Sequence, residues 1–243
     1  MSQSLLILAP IIFVAFTTEA TAGFGSSIIA LTIGAHFFAI GELVPVVVLL
    51  NVGLTAYMVA RYYRHVALRL LFTVVLPIMG IGLAGGQLAF HMLSGAHLKV
   101  GLAALVIFVA GRELWAMRAN PDQPPPLSRL SRTIWLLAAG VVHGMYATGG
   151  PPLVYVVGRA GLGKLSFRST MATIWLILDV VLVTSFIATG VLDQTGLERA
   201  GWMLPVVIVA IASGEFLHRK IPERPFRRIV FALLLVAGVV LLF

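Results

Sequence analysis

Two short glycine-containing stretches have the residue types of an anion-binding helix start. Residues 22–29 are Ala-Gly-Phe-Gly-Ser-Ser-Ile-Ile and residues 147–154 are Ala-Thr-Gly-Gly-Pro-Pro-Leu-Val. Serine caps a helix and donates to an anionic oxygen, and proline fits the first turn. Each stretch therefore predicts a helix N-terminus whose free N–H groups and positive dipole end attract negative charge. The predicted substrate-binding residues in them are Gly23, Phe24, Gly25, Ser26, Ser27, Thr148, Gly149, Gly150 and Pro151.

The two stretches also have a second interpretation. Glycine and serine allow close helix packing in membranes, and glycine and proline are common there. The stretches recur about 125 residues apart, and each interrupts the first apolar block of its half of the chain. A repeated interruption favours a binding site over packing alone.

Ionisable residues inside apolar segments are the next candidates, because burying them is costly and usually functional. Glu19 precedes the first interruption and His143 precedes the second, while Asp179 lies in a later apolar segment. Carboxylate and imidazole groups predict a proton relay or coupling site. The alternative is that the carboxyl groups are protonated interior donors and that His143 is structural.

Three further side chains are candidates for contact with a substrate. Asn51 lies among Val, Leu and Gly near the middle of its helix, where it hydrogen-bonds either a substrate or a neighbouring helix. Trp175, with Phe24 and Tyr146, lines an apolar lobe for an organic tail or packs between helices. Arg168 opens the segment that contains Trp175, and it either pairs with an anion or extends to lipid headgroups.

The composition predicts a polytopic helical membrane protein rather than a soluble enzyme. The chain has 243 residues, 60% of them hydrophobic and only 11% charged, and its mean hydropathy is +1.03. A spanning helix needs about 20 mostly apolar residues, and runs such as 43–60, 70–90 and 171–191 qualify or nearly qualify. Their lack of alternation predicts a transmembrane helical bundle, an all-α fold, rather than a barrel.

Polar and basic breaks divide the chain into eight hydrophobic segments in two halves. We predict a first transmembrane repeat at 1–117, a cytoplasmic linker at 118–132 that includes a proline-rich stretch, and a second repeat at 133–243. Simple alternation cannot place all four basic loops inside, whereas a broken or re-entrant first helix in each half can. Residues 5–38 would also form a helix of about 50 Å, longer than the bilayer core. These observations predict inverted repeats with both termini outside.

The sequence lacks the motifs that are typical of other classes of function. There is no cysteine, no His-Glu-x-x-His and no Gly-x-Ser-x-Gly, so a membrane-embedded enzyme is the weaker alternative. The six histidines are scattered, so we expect no metal and no cofactor. The basic residues behind the net charge of +8 lie in short loops, where positive-inside topology explains them, so we expect no nucleic-acid partner. No filter or charged ring favours an anion channel.

The glycine-rich break, its Gly149-Gly150-Pro151-Pro152 counterpart and the Phe-Arg-Ser-Thr stretch at 167–170 resemble the TauE/SafE permeases. The resemblance covers essentially the whole chain. It implies a multi-pass carrier of the inner membrane for small sulfur-containing anions, sulfite or organosulfonates such as sulfoacetate or 4-toluenesulfonate, coupled to the proton gradient. The expected partners are that small anion and the lipid bilayer, and pairing as a homodimer stays open.

Overall fold

The computed structural model describes residues 2–116, 127–220, 223–240 and 242. The described residues form helices and turns with no strand, which confirms the all-α prediction. Residues 118–126 of the predicted linker lie outside this part, and α7 already begins at Arg129. The helices, in chain order, are α1 Ser2–Ala22, α2 Ser26–Gly34, α3 Ile40–Tyr62, α4 Leu68–Leu70, α5 Leu76–Met92, α6 Gly95–Ala116, α7 Arg129–Tyr146, α8 Gly150–Val157, α9 Lys164–Ala188, α10 Gln194–Lys220 and α11 Glu223–Val240.

Six helical segments of the described chain are long and apolar enough to cross a bilayer. This confirms the prediction of a multi-pass helical membrane protein, although the sequence predicted eight hydrophobic segments. A π-helical turn at Leu71–Val75 joins α4 to α5, so these form one continuous span. The six segments are Ser4–Ala22, Ile40–His65, Leu68–Met92, Gly95–Arg112, Leu165–Ala188 and Gln194–His218.

Left-handed backbone conformations end the helices at both glycine-containing stretches. Gly23 and Gly25 have φ angles of 86° and 113°, which only glycine adopts readily, so α1 stops and α2 starts anew at Ser26. In the second half, Ala147 has a φ of 51° and ends α7 before α8 begins at Gly150. The helices α2 and α8 contain nine and eight residues, about 12–14 Å, which is too short to cross the bilayer.

The long helices pack mainly against helices of the other half of the chain. The main contacts join α1 to α10, α5 to α7, α3 to α9 and α6 to α11. Each contact buries an apolar helix face away from lipid. The interruption between α1 and α2 is thereby brought next to the one between α7 and α8.

Four glycines allow α5 and α7 to approach closely. Gly82 and Gly86 face Gly140 and Gly144, and a Cβ atom on any of them would overlap a backbone carbonyl oxygen of the facing helix. Small residues at i and i+4 permit such backbone contact in membrane helices, where packing replaces the hydrophobic effect. This contact fixes α7, and with it the second interruption.

Candidate functional site

A small cavity lies where the two interruptions meet. Its volume is about 30 Å³, which is space for about two water molecules. Both halves of the chain contribute to its wall, which is mostly apolar. Nine of the residues predicted from sequence line it: Glu19, Phe24, Gly25, Ser27, Asn51, Thr148, Gly150, Pro151 and Trp175.

The other five predicted residues lie behind this wall. Ser26 and the pair His143 and Asp179 are buried and connect to lining residues through the polar contacts described below. Gly23 packs against the stem of Arg168, where an added Cβ would lie 3.1 Å from Cγ. Gly149 packs against α7, where an added Cβ would overlap the carbonyl oxygen of Ala139. These two glycines therefore shape the interruptions without lining the cavity.

The N-terminus of α2 already holds a carboxylate. The backbone N–H of Ser26 donates to Glu19 Oε2 over 2.8 Å, and Glu19 is only 3% exposed. The first backbone bond of the new helix runs from Ile29 N–H to the Gly25 carbonyl. The N–H groups of Ser27 and Ile28 therefore have no partner within the helix and remain donors for an anion.

The N-terminus of α8 offers fewer donors. Pro151 and Pro152 have no N–H, and the N–H of Leu153 donates to the Gly149 carbonyl over 3.3 Å. Within this turn the N–H of Gly150 remains, together with the buried Thr148 just before it. The two helix starts are thus chemically unequal, with more backbone donors on α2.

Buried polar side chains connect the two halves beneath the cavity. Ser26 Oγ donates to Asn51 Oδ1 over 3.4 Å, and Asn51 Nδ2 donates to Asp179 Oδ2 over 2.8 Å. His143 Nε2 lies 3.1 Å from Asp179 Oδ1. With the bond between Ser26 and Glu19, these contacts form one chain of five residues, which we call the polar chain. It joins the carboxyl group of the first interruption to the imidazole of the second.

The imidazole of His143 also contacts the cavity wall. Its ring stacks on that of Trp175, with centroids 5.1 Å apart and an angle of 22° between the planes. Trp175 lines the cavity, so a ligand against the indole lies one ring away from the pair of His143 and Asp179. The structure therefore brings the three proton-coupling candidates and Asn51 together.

Side-chain donors satisfy carbonyl groups that the interruptions free. Arg168 Nη2 donates to the carbonyl oxygen of Ala20, and Gln87 Nε2 donates to that of Gly144 over 2.7 Å. Such groups must be satisfied inside protein because lipid offers no partner. Sequence reasoning missed Gln87, although an amide in a glycine-rich apolar helix was a usable signal.

Neither role considered for Arg168 matches its position. Arg168 is buried at 4% exposure, does not line the cavity, and lies 3.6 Å from Glu215 Oε1. Its charge is paired within the protein and its donor holds the end of α1. The described residues contain no group of three or more His, Cys, Asp or Glu side chains that could hold a metal ion.

Comparisons with known proteins give one family and two curated relatives. The family model for sulfite exporter TauE/SafE matches residues 8–241. A probable sulfite/organosulfonate exporter TauE of Cupriavidus necator is 21% identical over 92% of this chain and 87% of its own. A probable inner membrane transporter protein TsaS of Comamonas testosteroni is 26% identical over 41% of this chain and 42% of its own. No solved structure matches the chain.

Proposed function

The chain belongs to the sulfite exporter TauE/SafE family, and from that premise we propose that it carries small sulfur-containing anions by alternating access. It is a membrane transporter and not an enzyme, a multi-pass protein of the inner membrane. The proposed substrates are sulfite or organosulfonates such as sulfoacetate and 4-toluenesulfonate. We propose that their movement is coupled to the proton gradient.

The observation that carries this proposal is the meeting of two helix N-termini at one cavity. Backbone N–H groups at α2 and the positive ends of both helix dipoles favour negative charge there. Among the described residues, no lysine or arginine lines the cavity, so we propose that backbone and hydroxyl groups are the donors for an anion. A cavity with room for about two waters is too small for an organic sulfonate, which supports a closed state that opens to take up substrate.

The apolar wall of the cavity favours a substrate that carries an organic substituent. Phe24, Trp175 and Phe231 line it from α2, α9 and α11 or the loops beside them. Apolar walls with a few placed polar groups are typical of sites for small organic ligands. We therefore propose that a sulfonate with an organic tail binds more tightly than sulfite does.

We also propose that the chain consists of eight segments in two inverted repeats. A shift of about 124 residues relates Glu19 to His143, and the carbonyl of each accepts from the left-handed residue four positions later, at 2.6 Å and 2.7 Å. The same correspondence relates α1, α3, α5 and α6 to α7, α9, α10 and α11. When each helix is exchanged for its counterpart, the pair of α1 and α10 maps onto the pair of α7 and α5, which is also in contact. The pair of α3 and α9 and the pair of α6 and α11 map onto themselves.

Uptake into proteoliposomes tests the proposal. Purified protein is reconstituted and offered sulfite, sulfoacetate and 4-toluenesulfonate, with and without a pH gradient. We expect saturable uptake of at least one anion that responds to the gradient. Absence of uptake under every gradient would refute the transport function, and unsaturable flux with single-channel currents would indicate a channel.

A matched pair of variants tests the site. Gly150 faces the cavity, and a Cβ there would lie 3.6 Å from Phe24 Cδ2, so a larger side chain enters the cavity. Gly53 lies exposed on α3 with no atom near an added Cβ. Gly150→Leu should abolish uptake while the protein still folds, and Gly53→Leu should transport normally. Full activity of Gly150→Leu would place the substrate elsewhere.

A further inference from the structure

The carboxylate of Glu19 occupies the donor that a substrate anion would use. Glu19 Oε2 accepts from the Ser26 N–H at the start of α2, and the same side chain lines the cavity with Gly25 and Ser27. We infer that Glu19 is an internal competitor of the substrate anion, which binds at α2 when Glu19 takes up a proton and releases that N–H. This inference rests on the proposed function.

The surroundings of Glu19 fit a replaceable contact rather than a fixed structural one. Its other oxygen, Oε1, makes no hydrogen bond with any residue in the described part of the chain, although the side chain is buried. Glu19 also lies in the last turn of α1, whose dipole end is negative, so the N-terminus of α2 is its favourable neighbour. The side chains of Ser26 and Asn51 also contact this carboxyl group, and a carboxylate held at an anion-binding helix start is a group that a second anion can displace.

The exchange defines the sign of coupling. The ionised carboxylate, one proton and one substrate anion give a neutral carboxyl group and an anion bound to the released N–H. The carboxyl O–H can donate a hydrogen bond to an oxygen of the substrate. Binding of the proton therefore favours binding of the anion, and the two bind together. A monovalent sulfonate would then cross with one proton and without net movement of charge.

Other titratable groups surround Glu19. Asp179 of α9 faces it through Asn51 of α3, and His143 of α7 contacts Asp179. The side chains of residues 223–230 on α11 lie outside the described part. Among the described residues, the pair of His143 and Asp179 is the rival centre for proton uptake.

On the far side of α1, α9 and α10 contribute three further charged or titratable groups. Glu215 faces Arg168 of α9, and His218 Nδ1 contacts the Thr21 carbonyl over 2.7 Å. Arg168 in turn donates to the carbonyl of Ala20 rather than to Glu19. Arg168 and His218 thus contact backbone carbonyl groups of α1, and Glu215 pairs with Arg168.

Titration calorimetry on the full chain in nanodiscs tests the inference with 4-toluenesulfonate. A sulfonic acid is much stronger than the carboxylic acids of proteins, so the charge of this ligand is constant between about pH 6 and pH 8.5. Sulfoacetate and sulfite are used in parallel, and buffers of different ionisation enthalpy report proton uptake. As the pH rises through the range in which Glu19 titrates, wild-type affinity should fall by up to about tenfold per pH unit. Each bound anion should be accompanied by the uptake of one proton. Glu19→Gln should bind equally or more tightly at every pH without proton uptake.

Two further variants separate Glu19 from its neighbours. Glu42→Gln removes an exposed carboxylate near Arg199 and should behave like the wild type. Asp179→Asn should keep the pH dependence if Glu19 is the competitor. If Asp179→Asn abolishes that dependence and Glu19→Gln keeps it, the inference is overturned in favour of the pair of His143 and Asp179.

The remaining outcomes distinguish this inference from the proposed function. Wild-type binding that does not change with pH overturns the inference and leaves the transport function standing. Binding by Glu19→Gln alone supports the inference, because the carboxylate then blocks the wild-type site. Binding by neither protein refutes both. If Glu19→Gln does not fold, infrared difference spectra of the wild type decide, because anion binding should add protonated-carboxyl absorbance and its absence overturns the inference.

Discussion

A methyl group on Gly86 should separate α5 from α7. A Cβ on this residue would overlap the Val141 carbonyl oxygen and lie 2.9 Å from Gly144 Cα. Carbon atoms pack at about 3.5–4.0 Å, so the two helices would have to move apart by roughly 1 Å. The adjacent Gly85 has no atom within 4 Å of such a Cβ. Gly86→Ala and Gly85→Ala add the same methyl group at neighbouring positions of α5, and only Gly86→Ala creates an overlap with α7.

The expected difference between these variants follows from packing. Each gains about 1 kcal/mol of helix propensity over glycine, whereas overpacking costs Gly86→Ala about 1–3 kcal/mol. For a chain of this length, 1 kcal/mol corresponds to about 2–4 °C in Tm. Gly86→Ala should therefore unfold roughly 2–12 °C below Gly85→Ala in detergent, as measured by thermal unfolding.

The two variants also have different consequences for the site. The separation in Gly86→Ala would break the bond from Gln87 Nε2 to the Gly144 carbonyl, next to His143. Anion uptake should fall in Gly86→Ala and stay normal in Gly85→Ala. Equal unfolding temperatures for the two variants would refute the close contact between α5 and α7.

Three further changes are informative. Asn51→Leu removes the amide donor of the buried Asp179 carboxylate and should lower the free energy of unfolding by about 1.5–3 kcal/mol; unchanged thermal stability would contradict the polar chain. Arg168→Met leaves the Ala20 carbonyl without its donor and should cost about 1–3 kcal/mol, with anion binding still measurable by calorimetry; loss of binding in a folded variant would instead give Arg168 a direct role. Gly149→Ala should lower the unfolding temperature, because its methyl overlaps the Ala139 carbonyl, whereas Gly150→Ala should keep the wild-type unfolding temperature and bind anions more weakly; the reverse result would exchange their roles.

The interruptions were predictable from the sequence because their cause is local. Gly23 and Gly25 adopt backbone conformations that other residues avoid, and Pro151 is of a residue type favoured in the first turn of a helix. Glu19 and Asp179 stood out because charge is rare in apolar segments. Local composition therefore identified most of the residues that line the cavity.

The partners of these residues could not be predicted, because they depend on packing between distant segments. Nothing near Arg168 in the sequence indicates that it reaches Ala20, and nothing near Asp179 indicates that its neighbour is the Asn51 amide. The pairing of α5 with α7 likewise requires the three-dimensional arrangement. A single sequence supplies residue types and intervals, while such contacts depend on how the helices assemble.

The crossed packing of the helices has a consequence for biosynthesis. The helix α1 emerges from the ribosome well before its main partner, α10, which begins only at Gln194. Contacts between residues far apart in sequence form late, because a long loop must first be closed. The helix α1 must therefore wait in the bilayer, without its main partner, until the chain beyond Gln194 has been inserted. A nascent chain arrested before Gln194 should consequently be far more susceptible to membrane proteases than the finished protein.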